Sequence, residues 1–329
     1  MIGAPGDELD RILAAAHSWL AAGHGVAIAT VAETWGSAPR RAGSHLVVRD
    51  DGLFEGSVSG GCVEGDVIAN AIELIAEGGF RRFEYGVADA TAWKVGLACG
   101  GRIAVLVQAL RHDRFAPELL DRLAKARREG RELALSTDAE GRTREGVFDG
   151  DFVNRYPPPL RLAIVGAVHI AQALVPMARL IGYEVTVIDP RGLFGAEPRF
   201  GEVLIDSRWP DEALAAWRPN AASAVVTLTH DPKLDDPALL AALASPAFYI
   251  GALGSRRTHA ARLERLAAVG IAPDNLVRLH GPAGLDLGAA GPAEIALAVA
   301  APLTAAWRGK LQPRCGSLPH PAGEGNPKQ

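Results

Sequence analysis

The chain reads as two α/β domains, an N-terminal α/β domain followed by a doubly wound parallel-sheet domain. Three observations predict this. From residue 160 onward, short apolar runs alternate with amphipathic helical segments, the pattern of repeated βα units. Before that point, residues 45–49 and 53–56 flank Asp50-Asp51-Gly52, which reads as a hairpin turn. Between the two patterns stands Pro157-Pro158-Pro159, a stiff break. The 329 residues suffice for two cores.

The first domain is assigned to residues 1–110. A helix is predicted over 7–22: Asp7 can cap it, and Leu9, Ile12, Leu13, Ala16 and Leu20 share one face. Residues 26–31 form a strand, and Trp35-Gly36-Ser37-Ala38-Pro39 a loop. Gly60-Gly61-Cys62 leads into a helix over 63–76, where Val67, Ile68, Ala71, Ile72 and Ile75 recur at helical spacing. Strands follow at 81–85 and 102–108. Residues 111–158 read as a charged connector holding a helix over 117–129 and three short strands. The second domain spans 159–310, with strands at 161–165, 184–188, 224–228 and 248–250. Its helices fall at 169–180, 237–244, 258–269 and 293–307. Residues 311–329, rich in Pro and Gly, are expected to be disordered.

Composition narrows the function classes. Hydrophobic residues make up 48% and charged residues 22%, values of an ordinary globular chain. The net charge of -4 gives no basic field, so no nucleic-acid partner is expected. The N-terminus lacks the apolar segment of a signal peptide. No run approaches the ~20 uninterrupted apolar residues of a membrane span. Three cysteines suggest no disulfide framework, and a cytoplasmic setting is expected.

Two of those cysteines sit in glycine-rich loops. Ser57-Val58-Ser59-Gly60-Gly61-Cys62-Val63-Glu64 puts a thiol where a loop becomes a helix, a position that favours the thiolate. Gly60 and Gly61 let a ligand approach the backbone closely. Gly96-Leu97-Ala98-Cys99-Gly100-Gly101 presents the second thiol just before a strand. Thiolate sulfur is a soft donor for soft metals, so Cys62 and Cys99 are the candidate metal contacts. The competing reading is two small buried apolar residues. Cys315 lies in the tail and is given no role. In the loop Gly36-Ser37-Ala38-Pro39-Arg40-Arg41, Arg40 could hold a phosphate or carboxylate.

The second domain carries an altered dinucleotide fingerprint. Leu162 to Ala171 runs from a strand into a helix, with Gly166 and Ala171 at the first and third positions of G-x-G-x-x-G/A. Val168 replaces the second glycine, which normally lets a pyrophosphate approach. Asp189 closes the second strand, where an acid would meet a ribose hydroxyl, and Arg191 could face a phosphate. The other strand ends are polar: Thr229-His230-Asp231, then Gly251 to Arg257, whose Gly254 and Ser255 suggest an anion site, then Gly284-Leu285-Asp286-Leu287-Gly288. In doubly wound sheets these edges line the ligand crevice.

Taken together, these segments resemble the XdhC/CoxI family. The carriers are Gly-Ser-Ala-Pro-Arg at 36–40, Gly-Ser-Val-Ser-Gly-Gly-Cys-Val-Glu at 56–64 and Gly-Leu-Ala-Cys-Gly-Gly at 96–101. In the second half they are Gly-Ala-Val-His at 166–169, Asp-Pro-Arg at 189–191, Thr-His-Asp at 229–231, Tyr-Ile-Gly-Ala-Leu-Gly-Ser-Arg-Arg-Thr at 249–258 and Gly-Leu-Asp-Leu-Gly-Ala at 284–289. The family usually has glycine where this chain has Val168. The resemblance implies a Rossmann-like C-terminal domain and an accessory chaperone with no turnover of its own. Its cargo would be sulfurated molybdenum cofactor, as molybdopterin or its cytosine dinucleotide form. Its partners would be a cysteine desulfurase and an apo molybdenum hydroxylase such as xanthine dehydrogenase or CO dehydrogenase. It implies cofactor contacts from Cys62, Cys99, Gly60, Gly61, Gly100, Gly101 and Arg40. In the second domain the candidates are Gly166, His169, Asp189, Arg191, His230, Ser255, Arg256 and Asp286. A homodimer is left open. The alternative is an NAD(P)-dependent oxidoreductase, which needs nicotinamide to bind despite Val168, with His169 or His230 as general acid.

Overall fold

The structure, a computed structural model, describes residues 8–36, 38, 40–86, 101–192, 200–201 and 203–311. Cys99, Gly100, Cys315 and the tail from 312 lie outside the described residues. The chain divides into two compact units, one holding residues 1–160 with 182–184, the other holding 161–181 and 185–329.

Unit one is built on a five-stranded antiparallel sheet. Its elements are α1 (Glu8–Ala21), β1 (Val26–Trp35), β2 (His45–Arg49), β3 (Phe54–Gly56), α2 (Glu64–Glu77), β4 (Phe80–Tyr85) and β5 (Arg102–Ala109). The strand order is β3-β2-β1-β5-β4. Strand β1 is central and buried on both faces, which its Val-Ala-Ile-Ala-Thr-Val run permits. The two-residue period then assigns the faces. Val26 and Ile28 join Ile12, Leu13 and Ala16 of α1 in one core. Ala27, Ala29 and Val31 join Val67, Ala71 and Leu74 of α2 in the other.

The segment read from sequence as a charged connector folds into this unit. It contributes α3 (Glu118–Arg128) and a small antiparallel sheet of β6 (Leu133–Thr137), β7 (Thr143–Glu145) and β8 (Phe152–Tyr156), in the order β7-β6-β8. Most of its charges face water, while Leu119, Leu120, Leu123, Leu133, Leu135 and Tyr156 pack into the α1 core. Arg127 is buried, and its Nε donates to Asp10 at 2.7 Å while Nη1 donates to the Pro157 carbonyl at 2.7 Å. That pairing ties α3 to α1 and to the segment before the break.

Unit two holds β9 (Leu160–Val165), α4 (His169–Leu180), β10 (Tyr183–Ile188), β11 (Leu204–Asp206), α5 (Pro210–Trp217), β12 (Ser223–Thr227), α6 (Pro232–Leu243), β13 (Tyr249–Ala252), α7 (Arg256–Ala268), α8 (Pro273–Leu276), β14 (Leu279–His280) and α9 (Pro292–Trp307). The sheet order is β11-β10-β9-β12-β13-β14. The pairs β10–β11, β9–β12, β12–β13 and β13–β14 are parallel. This is the doubly wound Rossmann order, with its switch point between β9 and β12. The helix predicted from 237 begins at Pro232 instead, because Asp231 caps it by accepting from the Lys233 N–H at 3.0 Å. No helix among the described residues is long and apolar enough to cross a membrane.

Candidate functional site

In unit one the Ser57–Cys62 loop curls back over the first turn of α2. Gly60 and Gly61 make this possible, with φ of +80° and +117°. The curl aims a set of donors at one carboxylate. Glu64 accepts from Ser57 Oγ at 2.6 Å, and from the N–H groups of Val58 (3.2 Å), Ser59 (2.8 Å), Gly60 (3.1 Å) and Gly61 (2.8 Å). The Ser59 hydroxyl also donates to it. Ser59 Oγ in turn accepts from the N–H groups of Cys62 and Val63, both at 3.0 Å. Burial opposes ionisation of Glu64, but the Ser57 and Ser59 hydroxyls and the loop N–H groups outweigh it and hold its carboxyl at about 2.

The result is a loop pinned to the start of α2, with the exposed thiol of Cys62 at its helix end. Space around Gly61 is open. Arg40 braces the loop from behind: its Nε donates to the Ser57 carbonyl at 3.1 Å, and its other end pairs with Glu8. The guanidinium read as a phosphate contact is thus engaged with the protein itself. Gly101 is buried, and its Cα lies 3.7 Å from where a Cβ of Gly36 would stand, so these two glycines approach each other. Among the described residues no group of three or more His, Cys, Asp and Glu side chains is arranged to hold a metal ion.

Sequence reasoning missed Glu64, Ser57 and Ser59 as the supports of the thiol. The signal was present, since an acid in the first turn of a helix after a Ser/Gly loop is a capping pattern.

In unit two the fingerprint turn is tightly built. Gly166 has φ +110°, and a Cβ there would come within 2.6 Å of Thr229 Cγ2 and 3.3 Å of Thr229 N. Gly166→Ala is therefore expected to destabilise unit two by about 2–4 kcal/mol, from left-handed strain plus overpacking. Urea denaturation of the purified variant would show it as a lower midpoint at unchanged slope. Asp189 has a fully buried side chain. It accepts from the Ala167 N–H at 2.7 Å and holds Arg191 through two parallel bonds, at 2.9 and 2.7 Å. Burial works against its charge, yet Arg191 and the two backbone N–H groups of Ala167 and Arg191 keep its carboxyl below the usual range. The acid expected at a ribose hydroxyl thus binds the turn from within, and Arg191 is its counter-ion.

The remaining candidates lie on the carboxyl edge of the sheet or the loops after it. His169 is exposed on the first turn of α4, and His230 is exposed with φ +61°, a left-handed residue. Thr229 Oγ1 spans that turn, accepting from the Asp231 N–H at 3.1 Å and donating to Asp235 at 2.6 Å. Ser255 caps α7, accepting from the Thr258 N–H at 3.1 Å, and Arg256 is exposed beside it. Asp286 is exposed on the loop before α9. Two further groups escaped the sequence reading, Asp235 and Arg262, while Thr229 was read only as part of a polar strand end. Asp235 and Arg262 are buried, with Asp235 Oδ2 3.5 Å from Arg262 Nη2. Burial pushes the Asp235 carboxyl up and the Arg262 guanidinium down.

A family model described as the XdhC Rossmann domain matches residues 162–303, and one described as the XdhC and CoxI family matches residues 19–86. The molybdenum cofactor insertion chaperone PaoD of Escherichia coli (strain K12) is 32% identical over 302 residues, 90% of this chain and 87% of that protein. A protein of Bacillus subtilis (strain 168), named as a probable xanthine dehydrogenase subunit, is 25% identical, over 83% of this chain and 91% of its own. A crystal structure from Bacillus halodurans, described as a xanthine dehydrogenase, superimposes with a TM-score of 0.73 at 24% identity, covering 92% of this chain and 98% of that one. That likeness supports the fold. Both units match the same family's models, and the similarity to PaoD runs through nearly the whole sequence, so the chain belongs to the XdhC/CoxI family.

Proposed function

We propose that this protein binds molybdenum cofactor as cargo and hands it to an apo molybdenum hydroxylase, with Cys62 meeting the metal or its sulfur ligand. The observation that carries this reading is the thiol itself, exposed at the helix end of a loop pinned by Glu64. A soft sulfur donor on a preorganised, glycine-flanked loop suits a soft metal centre that must be held and then released. A cytoplasmic cysteine desulfurase is the partner that would supply the cargo's sulfur. PaoD, similar over most of the chain, is named for cofactor insertion. Cys99, in the second Gly-Cys loop, is the other thiol of the proposal.

The test loads wild type and Cys62→Ser with molybdenum cofactor and measures bound molybdenum and activation of an apo-hydroxylase. The serine variant should keep its melting temperature, because the side chain is exposed, yet lose about ten-fold or more in activation. Full activation by a Cys62→Ser/Cys99→Ser double variant would remove thiol chemistry from the mechanism.

A further inference from the structure

Arg262 carries a charge that the fold leaves partly unanswered. It lies two turns inside α7, but helix side chains lean toward the N-terminus, and its guanidinium reaches back beneath the turn that opens the helix. Nη2 donates to the Leu253 carbonyl at 2.9 Å. Its side chain is 2% exposed, and Nε and Nη1 have no hydrogen-bond partner. Asp235, at 3.5 Å, is its one ion-pair partner among the described residues. A buried guanidinium with unmatched nitrogens is costly unless an oxygen is supplied.

The turn above it lies against the Nη2 end, so the positive charge is felt at its surface although Nε and Nη1 are sealed from solvent. Gly254 has φ +141°, and the position a Cβ would take there borders Arg262 Nη2 at 3.8 Å and Thr258 at 3.3 Å. Ser255 caps the helix by accepting from Thr258 N, which leaves the Arg256 and Arg257 amides at the open end without an intrahelical acceptor. Those amides and the helix dipole favour an anion. Arg256 and Arg257 are both exposed and add positive charge at the mouth.

We infer that the Leu253–Ser255 turn and the first turn of α7 form a phosphate site, with Arg262 as its buried counter-charge. It is separate from the fingerprint turn at Gly166, whose Ala167 amide is already taken by Asp189. The ligand class is a phosphate ester, carried by a pterin or by a nucleotide. The inference stands apart from the cargo proposal, because its probes contain no pterin and no metal.

The experiment titrates the full chain with inorganic pyrophosphate and with cytidine 5′-diphosphate at matched ionic strength, by calorimetry and by hydrogen exchange. Saturable binding is expected, with slowed exchange at residues 253–262. Equal affinity for both probes assigns the site to phosphate alone, and tighter binding of the diphosphate assigns it to a nucleotide. Arg262→Met combined with Asp235→Asn removes both buried charges together, and a folded double variant should bind pyrophosphate about ten-fold more weakly. Protection confined to residues 166–172, or no saturation by about 10 mM of either probe, overturns the inference.

Discussion

Glu64→Ala is expected to lower the unfolding free energy by about 3–5 kcal/mol and to disorder the loop that presents Cys62. The side chain is small and sits at a helix start, where a surface substitution would cost a few tenths of that. The difference is its set of donors. Two hydroxyls and four backbone N–H groups, from residues 57 to 61, converge on this one carboxylate. Ser59 is buried, so its donors have no water to turn to when the acceptor is removed. Glu64→Gln keeps the shape but turns an NH2 toward donors, and should cost about 1–3 kcal/mol.

The pH dependence has a definite sign. The folded carboxyl is held at about 2, below its ordinary 4.5. A depressed carboxylate contributes stability that is present above the unfolded value and is lost as pH falls through the folded one. The gap in unfolding free energy between wild type and Glu64→Gln should therefore hold from neutral pH to about 5, then narrow toward pH 2. Partial exposure of the loop limits this contribution to about 2 kcal/mol. A gap independent of pH across that window would mean the carboxylate is not what the loop is built around. Activation of an apo-hydroxylase by Glu64→Gln should fall while the Cys62 thiol remains reactive, which separates a positioning role from a chemical one.

Much of this architecture was legible in local pattern. The change at residue 160 to alternating strand and helix located the second sheet, and Gly60-Gly61-Cys62 before an apolar helical run located the thiol loop. What escaped has three physical origins: elements too short to show a period, contacts made over long sequence distances, and a loop conformation that only the fold reveals. Strand β11 has three residues, and α5 has eight with Pro210 at its start, too short for a periodicity to show. In residues 111–158 the charges dominate the reading, while the leucines that bury against α1 are spaced among them. Arg262 lies in a helix with three other arginines, where an arginine reads as solvated. Only the neighbouring strands and Asp235 make it a core residue. Glu64 was visible as a residue, but its donors converge only after two glycines enter the left-handed region.

Asp189→Ala should destabilise unit two by about 3–5 kcal/mol and should not create a dinucleotide site. The first part follows from what the substitution strands. Arg191 loses a bidentate carboxylate, and the Ala167 amide loses its acceptor inside the turn between β9 and α4. Asp189→Asn keeps one acceptor and should cost less, and its deficit should shrink at acid pH, since the wild-type carboxyl is held below its ordinary range. The second part bears on the nicotinamide alternative. Dinucleotide recognition in this fold needs an acid at the end of the second strand turned outward to a ribose diol. Here that acid is turned inward, with no side-chain exposure. Val168→Gly, which restores the usual glycine, is accordingly expected to leave NAD(H) affinity weaker than about 1 mM by fluorescence titration. Micromolar binding by that variant would require Asp189 to leave Arg191 and the Ala167 amide. The same variant would then lose the stability those bonds provide, so one melting curve taken with and without NAD(H) distinguishes an acid that serves the fold from one that serves a ligand.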